Sequence, residues 1–407
     1  MKTITSMLLP LTRRLLGLVS AVFAAMMVIG CETFIPALPA ARQIDLDADN
    51  IVSDDNVVVL VRSEQAANAL VINAARRNYQ LKQRYQLDGL SLIMLDFLRP
   101  AGVSGAIAIA DMEGMEKSAT AGLDHFYTLQ QTDNEDSIDR KQYAQSMVNW
   151  PAGGCMAPYA IGMIDGDLDD RDPMLANATI IKRSFARGEP KDIDHGTAIA
   201  NLLVGPGRLN GARLYSASVI SDARGPASLD PTPGTGVPEI IQALNWLQQL
   251  GVSVVNISLA GPYNKLLDRA IQRAASSGML IIAAVGNDGP DAGPRYPAAL
   301  KTVIAVTAVD IEQNVFAKAV RGDHVDFSAP GVDVFVGSAA TGKYITGTSV
   351  AAPFVTALVA ASNDARQKRT IQDVRNYLAR QSADLGSAGP DPIFGRGLVQ
   401  ANATCGQ

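Results

Sequence analysis

The apolar and polar positions of the first part of the chain indicate short strands separated by helices. The segments with strand or helix spacing are residues 56–62, 64–77, 90–98, 103–115 and 124–129. Residues 64–77 have apolar positions at helical spacing, whereas the run NVVVLVR at 56–62 is typical of a strand. The β-α-β-α-β order predicts a small ferredoxin-like α+β domain over residues 56–130.

From residue 159 onward, nearly continuous apolar strands alternate with longer helices. The predicted strands are residues 161–164, 214–219, 252–259, 279–285 and 303–309, and the predicted helices are residues 198–204, 238–250 and 264–277. Strands that are apolar on both sides are typical of a parallel sheet covered on both faces by helices. The predicted fold class is α/β, a parallel sheet flanked by helices over residues 151–407, preceded by the small α+β domain.

The stretch GTSVAAPFVTALVAA at residues 347–361 predicts a helix with no polar face, which should be buried. We expect it to begin at about Ser349, with Pro353 in the first turn, where the missing N–H removes no helical bond. A helix N-terminus favours an anion. From this stretch alone, Ser349 is equally an N-cap or a nucleophile whose own N–H stabilises an oxyanion.

The N-terminus predicts export. Residues 1–14 carry basic residues and no acid, and residues 15–30 form an apolar run that is short for a transmembrane helix. The ending VIGC resembles the lipobox of bacterial lipoproteins, which would make Cys31 a lipidated N-terminus attached to a membrane. An ordinary cleaved signal and an uncleaved anchor are the alternatives. The chain would be a periplasmic or outer-membrane lipoprotein, or extracellular, with a tether at residues 32–55.

Composition excludes several classes of function. The net charge is -5 and the region after the export signal has no basic run, so no nucleic-acid partner is expected. Three scattered cysteines are too few for a zinc site. In an oxidising compartment Cys155 and Cys405 would form a disulfide that joins the two ends of the large domain, with two free thiols as the alternative.

Four polar residues fall at the ends of the predicted elements of the large domain. Asp165 ends a strand, Asn287 follows a strand, and His195 and Ser349 open helices. Carboxyl ends of parallel strands meet at one sheet edge, where sites form. A serine needs a base such as histidine, and a carboxylate orients that histidine. A side-chain amide and a helix N–H suffice to stabilise an oxyanion.

These residues carry a resemblance to the subtilisin-like (subtilase) serine peptidases over residues 159–397. The matching segments are AIGMIDGDLDD around Asp165, DHGT around His195, AAVGNDG around Asn287 and GTSVAAP around Ser349. They stand in the order of the family, at intervals close to those it shows. The resemblance implies a catalytic Asp165–His195–Ser349 triad, with Asn287 in the oxyanion hole and no required cofactor.

The resemblance also implies how a polypeptide substrate binds. The segment NISLAGP would pair with the substrate backbone and face residues 283–286 across the first specificity pocket. The substrate-binding residues implied are Ser258, Leu259, Ala260, Gly261, Ala284 and Gly286. The leading domain resembles the family's propeptide, which assists folding and acts as an intramolecular inhibitor. Its C-terminal segment, within residues 127–133, would block the cleft, and residues 131–150 would be a linker with the processing site.

Three features depart from the family pattern. Gly166 follows the aspartate where the family usually has Ser or Thr, and we expect activity to survive this change. Asp167, Asp169 and Asp170 form a solvated acidic loop or, alternatively, a weak calcium site. The interval after His195 is too short for the calcium-binding loop of many subtilisins, so that site should be missing. Calcium elsewhere remains open, and no metal site is identifiable.

The sequence therefore predicts a secreted or lipid-anchored serine endopeptidase that acts through an acyl-enzyme and is autoprocessed from a preproenzyme. One alternative is a catalytically silent lipoprotein that keeps the subtilase fold for binding or as a scaffold. A second is a processing enzyme with one partner substrate, which sequence does not separate from broad digestion.

Overall fold

A computed structural model of the chain describes residues 51–52, 55–130, 132–133, 143–221, 233–338, 342–367 and 370–401. The predicted export signal, Cys31 and most of the tether lie outside these residues. Within the described ranges, no helix has both the length and the apolar character needed to cross a bilayer.

The centre of the large domain is a seven-stranded sheet in which every neighbouring pair is parallel. Its strands are β8 (Ala160–Asp165), β9 (Thr179–Ser184), β11 (Arg213–Ser218), β12 (Val254–Ile257), β14 (Leu280–Ala284), β15 (Val303–Val309) and β16 (Phe327–Pro330). The order across the sheet is β16-β15-β14-β12-β8-β11-β9. The predicted parallel α/β fold is confirmed, and Asp165 ends β8 near the middle of the sheet.

Helices cover both faces of this sheet. One face packs against helix α4 (Ile193–Val204) and helix α7 (Thr348–Ala361). The other packs against helix α5 (Val237–Gln249) and helix α6 (Lys265–Ser276). Every side chain of α7 is buried, as its lack of a polar face predicts. The shorter helices are α3 (Tyr143–Met147), α8 (Asn363–Arg366) and α9 (Ile371–Ala379).

The leading module has two helices on one face of a four-stranded antiparallel sheet of order β2-β3-β1-β4. Its elements are β1 (Asn56–Val61), α1 (Glu64–Ala75), β2 (Gln80–Leu87), β3 (Leu92–Leu98), α2 (Gly105–Met115) and β4 (Thr120–Gly122). This is a ferredoxin-like arrangement. Of these four strands the sequence predicted β1 and β3 and not β2 or the short β4. Seven of the eight residues of β2 are exposed or half-buried, so no buried face marks it.

Alternation along β1 explains how the module packs on the large domain. Val57, Val59 and Val61 face the module's own helices. Val58 and Leu60 point the other way, into the core that contains α5 and α6. Because successive strand residues point to opposite faces, a continuous apolar run indicates burial on both sides.

The expected third strand at residues 124–129 does not belong to the module's sheet. Within it, β5 (Thr128–Leu129) pairs with β13 (Leu259–Ala260) of the large domain. Just beyond it, β6 (Thr132–Asp133) pairs with β18 (Lys343–Thr346). Strand β18 also pairs with β17 (Val334–Val336), and β7 (Cys155–Met156) pairs with β10 (Leu209–Asn210). The apolar pattern was right about extension and wrong about the partner, which is remote in sequence.

Asn264 joins the module to α6 and gives a test of the packing. Its Oδ1 accepts from the N–H groups of Leu266 and Leu267, and its Nδ2 donates to the Leu123 carbonyl at 2.8 Å. We predict that Asn264→Ala, in a Ser349→Ala background, lowers the free energy of unfolding by about 2 kcal/mol. Thr370→Ala removes an exposed cap of α9 and should cost about 1 kcal/mol. Urea unfolding measures both variants. If Asn264→Ala and Thr370→Ala lower the free energy of unfolding equally, Asn264 has no role beyond capping.

Candidate active site

Three side chains meet at the carboxyl edge of the central sheet. Nδ1 of His195 lies 2.6 Å from Oδ1 of Asp165, and Nε2 of His195 lies 3.2 Å from Oγ of Ser349. All three residues are buried. An ionised carboxylate only accepts hydrogen bonds, so the Asp165 contact places the proton on Nδ1. Nε2 is then an acceptor beside a hydroxyl, which is the arrangement of a base and a nucleophile.

Gly166 is required by the packing behind Asp165. A Cβ at this position would lie 2.5 Å from the carbonyl oxygen of Asp192, at the start of α4. Backbone of the histidine helix therefore occupies the space where a Ser or Thr side chain would stand. The Gly166 N–H donates to Asp165 Oδ1 at 2.7 Å, so the carboxylate has a hydrogen-bond donor without the Ser or Thr hydroxyl.

Pro353 lies deeper in α7 than the sequence predicted. The helix begins at Thr348, so Pro353 is inside it, and no N–H is available for the Ser349 carbonyl four residues earlier. The prediction that this proline removes no helical bond is wrong. The Ser258 hydroxyl takes over and donates to the Ser349 carbonyl at 3.1 Å. Ser258, expected to contact substrate, thus directs its hydroxyl at the backbone of the candidate nucleophile.

Two further buried side chains hold Ser258. Asn256 Nδ2 donates to Ser258 Oγ at 2.9 Å, and the Thr356 hydroxyl lies 3.0 Å from Asn256 Oδ1. Asn256, Ser258 and Thr356 are fully buried. Sequence analysis missed Asn256 and Thr356. The only signal was a polar residue in an apolar strand and another in an apolar helix, both of which need partners when buried.

The Asn287 side chain is oriented by Thr348. Its Oδ1 accepts from the Thr348 N–H at 3.1 Å and from the Thr348 hydroxyl at 2.9 Å. These donors fix which end of the amide is oxygen, so Nδ2 is the free end. Nδ2 is buried and has no hydrogen-bond partner within the described residues. A buried N–H without an acceptor is unfavourable before the reaction. It is well placed to stabilise a negatively charged oxygen that forms during the reaction.

Gln130, which follows the leading module in the same chain, lies in the candidate active site. Its carbonyl oxygen accepts from the Ser349 N–H at 3.2 Å, and the Ser349 hydroxyl also contacts that oxygen. Its Oε1 accepts from the Asn287 N–H at 2.7 Å. Strand β5 precedes Gln130 and strand β6 follows it, and the Gln130 carbonyl between them faces Ser349. Residues 127–133 are where the resemblance expects an inhibitory segment.

Of the expected substrate-binding residues, Leu259 and Ala260 pair with this segment as antiparallel strand partners. A Cβ on Gly261 would lie 2.5 Å from the Tyr127 ring. Tyr127 is fully buried, and its hydroxyl donates to the Pro262 carbonyl at 2.8 Å. Its backbone also exchanges two 2.9 Å bonds with Thr235, which sequence analysis missed because residue 235 lies outside every motif.

The remaining two expected residues, Ala284 and Gly286, lie at the end of β14. Ala284 is fully buried in the core on the α7 side of the sheet. Gly286 donates its N–H to the Thr348 hydroxyl at 3.2 Å and adopts a positive φ of 105°, where a side chain would be strained. The loop that carries Asn287 is therefore tied to the start of α7.

A buried charged cluster anchors the end of the module beside the site. Arg187 bonds both Asp124 of the module and, at 2.6 Å, Glu239 of α5. Asp124 Oδ1 also accepts from the Val237 N–H at 2.8 Å, which caps a helix whose own N-cap is Gly236. Burial, and next the nearby Asp124 charge, raise the pKa of Glu239 to about 7. Burial raises the pKa of Asp124, with Arg187 opposing.

The acidic loop after Asp165 has cationic neighbours. Lys182 Nζ lies 3.6 Å from Asp170 and 3.9 Å from Asp167, and Arg171 pairs with Asp169 at 3.1 Å. These contacts favour a solvated loop over a calcium site. Across the described ranges no three His, Cys, Asp or Glu side chains are grouped to hold a metal. Cys155 is fully buried, and Cys405 lies outside the described residues, so their pairing stays a prediction.

We predict that Ser258→Ala lowers the free energy of unfolding by about 1–3 kcal/mol, because it leaves the buried Ser349 carbonyl without a donor. Ser218→Ala is the matched control, since Ser218 is buried and its hydroxyl has no partner in the described structure. Its removal should be neutral or stabilising. Urea unfolding of both variants in a Ser349→Ala background measures the difference, and equal costs would refute the role of Ser258.

The chain is similar to proteins of one known family. The sequence model of peptidase S8, the subtilase family, matches residues 159–397. Minor extracellular protease Epr of Bacillus subtilis is 28% identical over 282 residues, which are 67% of this chain and 42% of that relative. The chain thus spans less than half of that relative's length. Subtilisin Savinase of Lederbergia lenta is 34% identical over 54% of this chain and 81% of its own.

Among solved structures, fervidolysin from Fervidobacterium pennivorans, a keratinolytic enzyme related to subtilisin, aligns with a TM-score of 0.70. The alignment covers 89% of this chain and 62% of that chain, at 18% identity, and so supports the fold alone. The family match covers more than half of the chain and includes Asp165, His195, Asn287 and Ser349. The chain therefore belongs to the subtilase family of subtilisin-like serine proteases.

Proposed function

We propose that the protein is a serine endopeptidase that uses Asp165, His195 and Ser349 as a catalytic triad. His195 Nε2 removes the Ser349 proton as Oγ attacks a peptide carbonyl carbon. Asp165 holds the imidazole in the required tautomer and stabilises the imidazolium. The Ser349 N–H and Asn287 Nδ2 receive the oxyanion. His195 then protonates the leaving amine, and water releases the acyl group from Ser349.

We infer that the first substrate is the chain itself, at the bond between Gln130 and Gln131. The observation that carries this proposal is the 3.2 Å bond from the Ser349 N–H to the Gln130 carbonyl. Strand pairing on both sides of that carbonyl holds the segment as a substrate would be held. The module would remain bound after cleavage through Tyr127, Asp124 and the β5–β13 pairing, and would then act as the inhibitor.

We predict that the exported wild-type chain is cut and that its mature part begins at Gln131, whereas Ser349→Ala stays uncut. N-terminal sequencing and intact mass measure both products. Asn287→Ala should process about 10²–10³ times more slowly, a figure whose reference case is itself a subtilisin. Equal chain lengths for wild type and Ser349→Ala, with no casein cleavage by either, would leave the catalytically silent binding or scaffold protein as the function.

Whether the enzyme digests broadly or processes one partner depends on how the cleft fits other peptides. Its own segment places buried Tyr127 three residues before Gln130, and Leu129 pairs with Leu259. We propose polypeptide substrates with a large aromatic residue at the Tyr127 position. A peptide-library cleavage profile separates one narrow sequence preference from a broad one.

Export of the chain is part of the proposal. The basic and apolar N-terminus supports it, and one relative is named as an extracellular protease. Lipidation of Cys31 and attachment to a membrane stay predictions, with cleavage by an ordinary signal peptidase as the alternative. Mass analysis of the mature N-terminus after export decides between them, because a lipidated Cys31 adds the mass of its acyl chains.

We predict that the cleaved module is held most tightly at acid pH, loses affinity as the pH rises from about 4.5 to about 7, and changes little above that value. Docking of Asp124 helps to raise the pKa of Glu239 to about 7. The docked form therefore binds protons more readily than the separated parts, and proton loss favours separation. Arg187, Asp124 and Tyr85 are the charged or titratable groups that interact with Glu239. Gel filtration of the cleaved protein between pH 5 and pH 9 measures the dissociated fraction.

Glu239→Gln should flatten this dependence, because the amide mimics the protonated acid. Glu113→Gln is the control, since Glu113 is a half-exposed carboxylate that bonds Lys265 across the same interface. That variant should keep the wild-type pH profile. A profile that Glu239→Gln leaves unchanged would rule out the buried cluster as its cause.

A further inference from the structure

Arg208 is a buried cation that the proposed mechanism does not use. It is 8% exposed, and its guanidinium carbon lies 5.1 Å from the centroid of the Phe354 ring. Among the described residues it has no carboxylate partner, and its side chain donates no hydrogen bond. Burial lowers the pKa of Arg208 to about 10, which still leaves it charged at neutral pH. Buried guanidinium groups are normally paired, so this one indicates a binding function.

Arg208 lines a cavity of about 330 Å³ between the end of α4 and β17. This volume falls in the range of small-ligand sites. Asn201 also lines the cavity: its Nδ2 donates to the Thr197 carbonyl at 3.1 Å, and its Oδ1 is buried without a donor in the described part of the chain. Leu202 and Val336 add apolar surface. The cavity thus offers a planar cation, one free acceptor and apolar contacts.

These features select the ligand's chemistry. A guanidinium fork matches a carboxylate with two parallel hydrogen bonds. One buried cation balances one negative charge, which disfavours a phosphate dianion. The Asn201 acceptor suits an N–H, which a free inorganic anion lacks and a polypeptide backbone provides. The best match is an acidic residue within a polypeptide.

The cavity is continuous with the side of the cleft where the leaving part of a substrate emerges. A neighbouring cavity of about 280 Å³ shares Asn201, Val336 and Gly337 with it and extends to Lys343. Lys343 begins β18, whose Ile345 and Thr346 pair with residues 132–133, just beyond the Gln130 carbonyl. A groove therefore runs from the exit of the cleft to Arg208.

We propose that Arg208 forms a subsite that binds an acidic residue located downstream of the cleaved bond in a polypeptide substrate. This inference rests on the proposed peptidase function and adds a specificity to it. Arg208 would act on substrate binding alone, because it lies outside the triad and the oxyanion site.

The main test is a series of internally quenched peptides with residues 127–132 (YTLQQT) followed by a neutral Gly/Ser spacer. One Glu, or one Gln as its neutral match, is placed at successive downstream positions. At one of these positions we expect kcat/KM to be about tenfold higher for the Glu peptide than for the Gln peptide, because the KM of the Glu peptide is lower. Arg208→Met should abolish this preference, so that the Glu and Gln peptides are cleaved equally. Arg213→Met, at an exposed arginine, should keep it.

Equal cleavage of Glu and Gln peptides at every position would overturn the proposal, as would a preference that survives Arg208→Met. A second measurement does not depend on catalysis. N-acetylglutamate amide should raise the Tm of the Ser349→Ala full chain, N-acetylglutamine amide should not, and Arg208→Met should remove the shift. If no peptide is cleaved, the proposed peptidase function is wrong, and the Tm shift alone tests whether Arg208 binds an acidic residue. If the Tm shift occurs but no downstream position of Glu favours cleavage, the site binds free carboxylates only, and the proposed role in substrate binding is refuted.

Discussion

The main-chain carbonyl of Ser349 has no donor from its own helix, because Pro353 stands where that donor would be. In a buried helix this carbonyl must be satisfied by another part of the molecule. The Ser258 hydroxyl does so at 3.1 Å, and Asn256 holds Ser258 in turn. The first turn of α7 is thereby tied to β12 at the centre of the sheet. The serine, its N–H and its neighbour Thr348 all take their positions from that connection.

The same turn orients the Asn287 amide of the proposed oxyanion site. Thr348 supplies two donors to Asn287 Oδ1, which leaves Nδ2 directed away without a partner among the described residues. A side chain with one end satisfied and the other buried without an acceptor is pre-organised for negative charge. The Ser349 N–H, already bonded to the Gln130 carbonyl, marks where that charge would develop.

The module is attached to this edge by polar contacts as well as apolar packing. Val58 and Leu60 enter the core of the large domain, and Asp124 caps α5 while sharing Arg187 with Glu239. Two carboxylates around one guanidinium leave a net buried charge, so the interface is sensitive to protons. Packing thus joins the module to the large domain, and the charged cluster is the source of the proposed pH dependence of that contact.

The central sheet and the positions of the four candidate site residues can be predicted from the sequence alone. Buried parallel strands are continuous apolar runs, and Asp165, His195, Asn287 and Ser349 lie in short motifs that are visible in the sequence. It could not show β2, whose residues are largely exposed, or the partner of β5, because strand pairing depends on surfaces remote in sequence. Other features emerge only when the chain is folded: Ser258 bonds the Ser349 carbonyl, Gly166 makes room for α4, and Arg208 lines a cavity. Each of these depends on which atoms meet across the fold, and no local pattern encodes that.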